Sequence, residues 1–278
     1  MNDSFLPSDL KRYVREETLP TTFCPGCGCG TILHSYIKAL SDLKIEPEKT
    51  VSVSGIGCSS WIPSPHFKGD TLHATHGRSV AFATGVKLMQ PEKYVTVIAG
   101  DGDLVGIGLS HLIHAARRNI GLSVFLVNNY VYGMTGGQFS PTTPVGIKTT
   151  TSPYQNQESC LPIADIVALS GANYVARWTT YHVKDLVESM KISFQTEGFS
   201  FVEIISQCPM NYGKFIGKKQ PSAFLQFFKE NSLSVEKASS LNCEQKKDKF
   251  IVGTLTKKTT PELSERMWNI TQEQMSDD

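Results

Sequence analysis

Short runs of apolar and β-branched residues alternate along the chain with longer stretches in which apolar positions recur every three or four residues. The short runs predict strands over 50–54, 94–99, 122–127 and 201–206, with a weaker one over 173–177. The longer stretches predict helices over 30–43, 78–90, 104–118, 162–171 and 182–196. Strands that alternate with helices form βαβ units, so the pattern predicts an α/β fold with a doubly wound, mostly parallel sheet.

The unusual motifs of the sequence follow directly after predicted strands. GIGCSS follows the first of the four stronger strands, GDGD the second, NNYVYG the third and QCPMNYG the last. In a doubly wound sheet, ligands bind at the carboxyl edge of the strands. Four separate segments are therefore expected to converge on one site at that edge.

Two stretches lack a clear periodicity. Residues 129–160 are rich in Thr, Gly, Pro and Gln, and a loop of this length that begins at the expected site is predicted to be functional. Beyond about residue 210 the chain becomes basic and then polar, and 233–278 contains no convincing strand. We therefore expect a ligand-binding domain over 1–215 and a C-terminal extension over 216–278, which packs on that domain or on a partner subunit.

The composition is that of an ordinary globular chain, with 40% hydrophobic and 19% charged residues. The 27 basic and 26 acidic side chains give a net charge of +1, which indicates no basic surface for nucleic acid. The beginning of the chain lacks a secretory signal pattern, and no uncharged apolar run reaches the roughly 18 residues of a membrane span. These features predict a cytoplasmic protein that binds neither nucleic acid nor membranes.

The GDGD motif combines groups that suit a phosphate and a divalent cation. Its glycines allow a tight turn whose N–H groups face phosphate at the start of a helix, and Asp101 offers a carboxylate. After GDG, 25 residues (103–127) lead to Asn128 and Asn129. Because magnesium prefers oxygen ligands, Asp101, the Asn129 amide oxygen and a nearby backbone carbonyl are expected to bind it. This spacing resembles the motif that binds thiamine diphosphate.

The cysteines suit a metal centre better than disulfides, because a reducing compartment keeps thiols free. Cys24 and Cys27 are separated by two residues, while Cys58 and Cys208 follow predicted strands. Four thiolates bind either zinc or an iron–sulfur cluster, and spacing alone does not separate the two. A zinc ribbon would have a second CxxC pair, which the sequence lacks. Cys29 is expected to be a buried thiol beside the centre.

Six motifs in order over residues 20–215 resemble one family. They are CPGCG, SGIGCSS, THGRSVAFATGVK, AGDGD, VNNYVYGMTGGQFSPTTP and QCPMN. Together they resemble the β subunit of the 2-oxoacid:ferredoxin oxidoreductases. The resemblance implies a fold that binds the diphosphate half of thiamine diphosphate. It also implies a hetero-oligomeric enzyme that is active only with an α subunit, which is expected to bring the pyrimidine-binding half and the activating glutamate.

The resemblance further implies roles for individual residues. One 4Fe-4S cluster is expected on Cys24, Cys27, Cys58 and Cys208, and Mg²⁺ on Asp101, Asn129 and the carbonyl of Val131. Contacts with thiamine diphosphate are expected from Ile56, Gly57, Cys58, Ser59, His76, Gly102, Asp103, Gly133 and Met134. A catalytic role is expected of His76 and Arg78, since imidazole and guanidinium groups can face a phosphate or a carboxylate.

The implied reaction is the oxidative decarboxylation of a 2-oxoacid with coenzyme A to an acyl-CoA and carbon dioxide. Electrons are expected to pass through the cluster to an external ferredoxin. The two-chain arrangement and the TGGQFSPTTP loop favour 2-oxoglutarate as the substrate. Trp61, directly after GIGCSS, offers no cation for a second carboxylate, so pyruvate or a branched-chain 2-oxoacid stays open as an alternative.

Two other classes of protein would share part of the motif set. A non-redox thiamine-dependent decarboxylase or synthase would use GDG and NN but not four placed cysteines, and such enzymes normally carry both thiamine domains in a longer chain. A zinc or iron–sulfur binding protein without enzymatic activity would need only the cysteines. In that case the spacing between GDG and NN would be a coincidence.

Overall fold

A central sheet of eight strands organises the chain. The computed structural model describes residues 6–276. Residues 1–5, part of the segment in which no secretory signal was predicted, and residues 277–278 of the predicted extension lie outside the described residues. Within 6–276 the strands are β1 (Thr50–Ser54), β2 (Asp70–His73), β3 (Tyr94–Gly100), β4 (Leu122–Asn128), β5 (Val131–Tyr132), β6 (Gln138–Phe139), β7 (Tyr174–Thr179), β8 (Ser200–Ile205), β9 (Ser232–Ser234) and β10 (Phe250–Lys257).

The strand order confirms the predicted doubly wound, mostly parallel sheet. The order is β2-β1-β3-β4-β8-β7-β10-β9, and every pair from β2 to β7 is parallel. All seven residues of β4 are buried, as expected for a central parallel strand that is covered on both faces. β5 and β6 form a separate two-stranded hairpin inside the long polar loop.

Helices cover both faces of the sheet. Over residues 6–276 they are α1 (Ser8–Lys11), α2 (Gly28–Asp42), α3 (Ser79–Met89), α4 (Leu109–Arg118), α5 (Ile163–Ser170), α6 (Val183–Gln195), α7 (Tyr212–Phe215), α8 (Pro221–Asn231), α9 (Val235–Ser239), α10 (Cys243–Lys246) and α11 (Leu263–Ser276). One apolar core lies between the sheet and α3, α4 and α5, and a second between the sheet and α1, α2 and α6. No helix of this part of the chain is long and apolar enough to cross a membrane.

The C-terminal part of the chain contributes strands that the sequence pattern did not predict. β10 pairs antiparallel with β7, and β9 pairs parallel with β10, so the expectation of no strand over 233–278 was wrong. β10 is only partly buried, contains Gly253 at a positive φ and shifts register between Thr254 and Thr256. These irregularities interrupt its apolar run. The division of the chain at residue 215 stays a prediction.

A buried ion pair crosses the sheet near its carboxyl edge. The Arg177 side chain on β7 is 15% exposed and the Glu203 side chain on β8 is 5% exposed, and the Arg177 Nε donates to the Glu203 Oε2 at 2.7 Å. The other oxygen, Oε1, accepts from the Asn128 Nδ2 at 2.8 Å. The pair therefore connects β7 and β8 to the end of β4.

Removing one member of this pair should destabilise the chain. Arg177→Met leaves the Glu203 carboxylate buried without its cation, and we expect the free energy of unfolding to fall by about 3–5 kcal/mol. Urea denaturation at neutral pH measures the loss. Lys184→Met, at an exposed position on α6, is the control and should change stability by less than about 0.5 kcal/mol. Equal stability of the two variants would contradict a structural role for the pair.

Candidate functional site

The four motif segments meet at one edge of the sheet, as the sequence analysis predicted. β1, β3, β4 and β8 are neighbours in the sheet and run in the same direction. Their carboxyl ends lead into residues 55–59, 101–103, 129–134 and 206–208. Parallel pairing therefore brings together groups that are more than 150 positions apart in the chain (208 minus 55).

Four cysteines line one cavity at this edge. The cavity measures about 250 Å³, and its walls carry the side chains of Cys24, Cys27, Cys58 and Cys208. Further walls come from Thr22, Phe23, Trp61, Asn129, Gly133, Met134, Pro209, Met210 and Asn211. The cysteines assigned to one centre from sequence thus lie together in space.

Glycines allow these segments to approach one another. A Cβ on Gly28, at the start of α2, would overlap the Ser206 hydroxyl, and the Gly28 N–H donates to the Gln207 carbonyl at 3.1 Å. A Cβ on Gly133 would lie 3.7 Å from the Cys208 sulfur and 3.8 Å from the Cys58 sulfur. A longer side chain at position 133 would therefore enter the space between the two thiols.

The thiols are arranged around the cavity rather than around a point. Among the described His, Cys, Asp and Glu residues, no group of three could hold a single metal ion. Burial, followed by the charges of Cys27 and Cys208, raises the pKa of Cys58 to about 11. Burial also raises the pKa of Cys208. Four thiolates here would repel one another unless a positive centre lay between them.

Cys29 lies beside Cys27 but inside the core. Its side chain is 2% exposed, which confirms the burial expected from the sequence. A hydrogen bond with Cys29 lowers the pKa of Cys27 to about 7, in spite of the opposing effect of burial. Cys29 therefore supports the thiolate form of Cys27 instead of lining the cavity.

Asp101 is buried at the end of β3 and is held by two hydroxyl groups. Its Oδ2 accepts from the Ser140 Oγ at 2.6 Å and from the Thr142 Oγ1 at 2.7 Å. Burial raises the pKa of Asp101, and these hydrogen bonds act in the opposite direction. Nearby, the Asn129 Oδ1 accepts from the Val131 N–H at 3.2 Å. The three residues expected at a magnesium ion are thus all present at this edge.

The turn after Asp101 has an unusual conformation. Gly102–Ile107 is π-helical, a geometry that often occurs at functional sites. A Cβ on Gly102 would overlap the Tyr132 ring, whose hydroxyl donates to the Gly102 carbonyl at 3.0 Å. An α-helix was predicted over 104–118, but it begins only at Leu109. The preceding residues are π-helical, and Gly102 packs under Tyr132.

Asp103 connects the ends of β1 and β3 with the segment before α3. Its buried Oδ1 accepts from the Gly77 N–H at 2.7 Å and from the Ile56 N–H at 3.3 Å. The His76 Nδ1 lies 2.9 Å from the same oxygen, and burial raises the pKa of Asp103. The Arg78 side chain is half-buried, and its Nη1 donates to the Gly77 carbonyl at 3.5 Å.

The remaining residues expected at the cofactor flank these groups. Ser59 is buried, whereas Ile56 and Met134 are 41% and 50% exposed. Gly57 has a φ of 137°, which only glycine adopts without strain. Six residues that support the site were not predicted from the sequence, namely Tyr132, Ser140, Thr142, Arg177, Glu203 and Asn211. Tyr132 lies in NNYVYG, Ser140 and Thr142 in SPTTP, and Asn211 in QCPMN, so these motifs were the available signal.

Comparisons with known proteins agree on one family. Residues 55–204 match a family model described as "Thiamine pyrophosphate enzyme, C-terminal TPP binding domain". The 2-oxoglutarate synthase subunit KorB of Methanocaldococcus jannaschii is 47% identical over 92% of this chain and 94% of its own length. The subunit of the same name from Methanothermobacter thermautotrophicus is 46% identical over 94% and 91%.

A solved structure is similar over nearly the whole chain. It is the 2-oxoglutarate:ferredoxin oxidoreductase from Magnetococcus marinus with 2-oxoglutarate, coenzyme A and succinyl-CoA bound. Its TM-score is 0.83 at 32% sequence identity, and the match covers 95% of this chain and 90% of that chain.

The hydroxyl groups around Asp101 generate a stability prediction. Thr142→Val removes one of the two hydroxyl donors to this buried carboxyl group. A hydrogen bond to a charged group contributes about 1.5–3 kcal/mol, so we expect the free energy of unfolding to fall by about 2 kcal/mol in urea denaturation. Thr259→Val, exposed after β10, is the control. If both variants unfold like the parent chain, the loop hydroxyls do not hold Asp101.

Proposed function

The chain belongs to the thiamine pyrophosphate enzymes and, within them, to the β subunits of the 2-oxoacid:ferredoxin oxidoreductases, and from this membership we propose its reaction. With an α subunit, it oxidises 2-oxoglutarate and coenzyme A to succinyl-CoA and carbon dioxide. The two electrons released pass one at a time to ferredoxin. The observation that carries the proposal is the cavity lined by four cysteines and by Asn129, a residue whose backbone is hydrogen-bonded to the Asp101 carboxyl group.

An iron–sulfur cluster fits the cysteines better than zinc. Zinc would draw four sulfurs to about 2.3 Å from one ion, whereas no such convergence on a point exists among the described residues. A 4Fe-4S cluster presents one iron to each thiolate at its corners, and the four thiols line a cavity instead. We propose Cys24, Cys27, Cys58 and Cys208 as its ligands, and the cluster would supply one-electron transfer.

Magnesium and thiamine diphosphate fit the neighbouring groups. Asp101, Asn129 and the Val131 carbonyl would hold the ion, while Ser140 and Thr142 keep the Asp101 carboxyl group in place. The thiamine ring, when bound, supplies the electron sink for decarboxylation. The matched family model covers a C-terminal thiamine-binding domain, which supports an αβ heterodimer in which the α subunit brings the other half of the cofactor site.

Asp103 is proposed to orient His76. The Asp103 Oδ1 lies 2.9 Å from the His76 Nδ1, although the Nδ1 has no aligned hydrogen-bond partner among the described residues. A realigned contact between the two would hold the ring and leave its other nitrogen for the substrate. Arg78, near the same turn, would supply a cation for a carboxylate of 2-oxoglutarate. Residues Ile56, Gly57, Cys58, Ser59, Gly102, Gly133 and Met134 would contact thiamine diphosphate.

The choice of 2-oxoglutarate rests on the relatives, whose names state it. One observation favours pyruvate as a second candidate. Trp61 lines the cavity and is 39% exposed, and its ring offers no charge to a second carboxylate. A non-redox thiamine enzyme is disfavoured because it would have no use for four cysteines beside the cofactor.

Substrate comparison tests the proposed reaction. The chain is co-expressed with its α subunit and purified without oxygen, and coenzyme A-dependent ferredoxin reduction is followed with 2-oxoglutarate, pyruvate and a branched-chain 2-oxoacid. A site that pairs the second carboxylate discriminates strongly against analogues without it, so kcat/KM should favour 2-oxoglutarate by at least about 100-fold. Equal or higher kcat/KM with pyruvate would show that Arg78 does not select the substrate.

Cysteine variants test the cluster. Cys58→Ala and Cys208→Ala should lose iron and acid-labile sulfide, together with the absorption band that bleaches on reduction, because each leaves one iron without a thiolate. Cys29→Ala and the exposed Cys160→Ala are matched controls and should keep about four irons per chain. A parent protein with about one zinc and no sulfide, or a Cys29→Ala variant without iron, would contradict the ligand assignment.

A further inference from the structure

The exposed side of the cysteine cavity is the turn between Cys24 and Cys27, two of the proposed cluster ligands. Cys24, Pro25 and Gly26 are exposed, whereas Cys27, Cys58 and Cys208 are only partly accessible. An electron acceptor must approach the cavity from outside. The turn over 24–26 is the part of the ligand set that it can reach most directly.

A lysine-rich loop is tied to this turn and to Cys208. The Gly213 N–H donates to the Cys208 carbonyl at 2.8 Å, and the Lys218 N–H donates to the Gly213 carbonyl at 2.7 Å. Pro221, at the start of α8, lies where a side chain on Gly26 would stand. These contacts fix residues 213–221 beside the exposed ligand turn.

The charges on this side have one sign. Lys214 and Lys219 are exposed, and the Lys218 ammonium lies 4.9 Å from the centre of the Phe227 ring. None of the three forms an ion pair with a described residue. Segments 20–27, 56–61, 129–139 and 206–221, which surround the cavity, contain these three lysines and no acidic residue. The chain as a whole is nearly neutral, so this is a local excess of positive charge.

We propose that Lys214, Lys218 and Lys219 form the docking surface for a small acidic one-electron carrier. The inference rests on the proposed function and adds the place where the carrier binds. In each encounter one electron would pass from a cluster held by Cys24, Cys27, Cys58 and Cys208 to the carrier, so that the cluster would be oxidised and the carrier reduced. Two encounters remove the two electrons released from one 2-oxoacid. Complementary charge speeds association and orients the carrier toward the exposed turn.

A charge reversal on the αβ complex tests this surface. Lys214→Glu combined with Lys219→Glu changes two exposed lysines beside the cavity. The matched control combines Lys257→Glu with Lys258→Glu, two exposed lysines at the opposite edge of the sheet, where β7 begins. Equilibrium binding of a strongly acidic ferredoxin, without substrate, is measured at low salt and at about 0.2 M salt, where exposed charges are screened beyond about 8–10 Å. Methyl viologen reduction follows turnover independently.

The expected result is specific to the acidic carrier. At low salt the Lys214→Glu, Lys219→Glu complex should bind ferredoxin on the order of tenfold more weakly than the parent, and the difference should shrink at high salt. The control complex should bind like the parent, and viologen reduction should be equal in all three. The proposal would be overturned if the Lys214→Glu, Lys219→Glu complex bound ferredoxin like the parent, or if the control lost as much affinity. It would also be overturned if the double variant kept its ferredoxin affinity and showed a raised KM for coenzyme A. Absence of viologen reduction in the parent would instead reject the proposed function.

Discussion

Parallel pairing of β1, β3, β4 and β8 fixes the position of most groups in the proposed site. Because parallel strands end at the same edge, Cys58, Asp101, Asn129 and Cys208 are all within a few residues of a strand end there. The two remaining thiols reach this edge through α2, whose first residue packs against Ser206. A shift of register in any one pair would move a ligand away from the cavity, so the site is only as well ordered as the sheet.

Buried polar groups at this edge are costly, and the structure supports several of them with partners. Arg177 and Asn128 hold the Glu203 carboxylate, Ser140 and Thr142 hold Asp101, and backbone N–H groups hold Asp103. These hydrogen bonds and the ion pair offset the cost of burial and hold the three carboxyl groups in fixed positions. The Asp103 Oδ2 has no hydrogen-bond partner among the described residues, and it lies against the backbone of Gly55. Such an unsatisfied oxygen suits a position that a ligand completes.

The proposed electron path is short because the cysteine cavity lies close to the surface. The same edge of the sheet carries the groups proposed to hold thiamine diphosphate and the exposed Cys24 turn. Oxidation of the substrate and exit of the electrons would thus occur within one site, without a further cluster in this chain. The loop with Lys214, Lys218 and Lys219 would attract an acidic carrier to this side of a protein that is otherwise nearly neutral.

The sequence by itself determined the central strands, their mostly parallel arrangement and the motif segments at their ends, because buried strands and tight glycine turns leave strong local patterns. It also identified the four cysteines and Asp101 as candidates. Tertiary structure alone decided which side chains support them: Ser140, Thr142 and Glu203 are ordinary polar residues in sequence, and only folding places them against Asp101 and Asn128. The same holds for β10, whose weak pattern became a strand because β7 offered an unpaired edge. Local patterns record a residue's own burial, whereas a contact between distant segments depends on the packing of the whole chain.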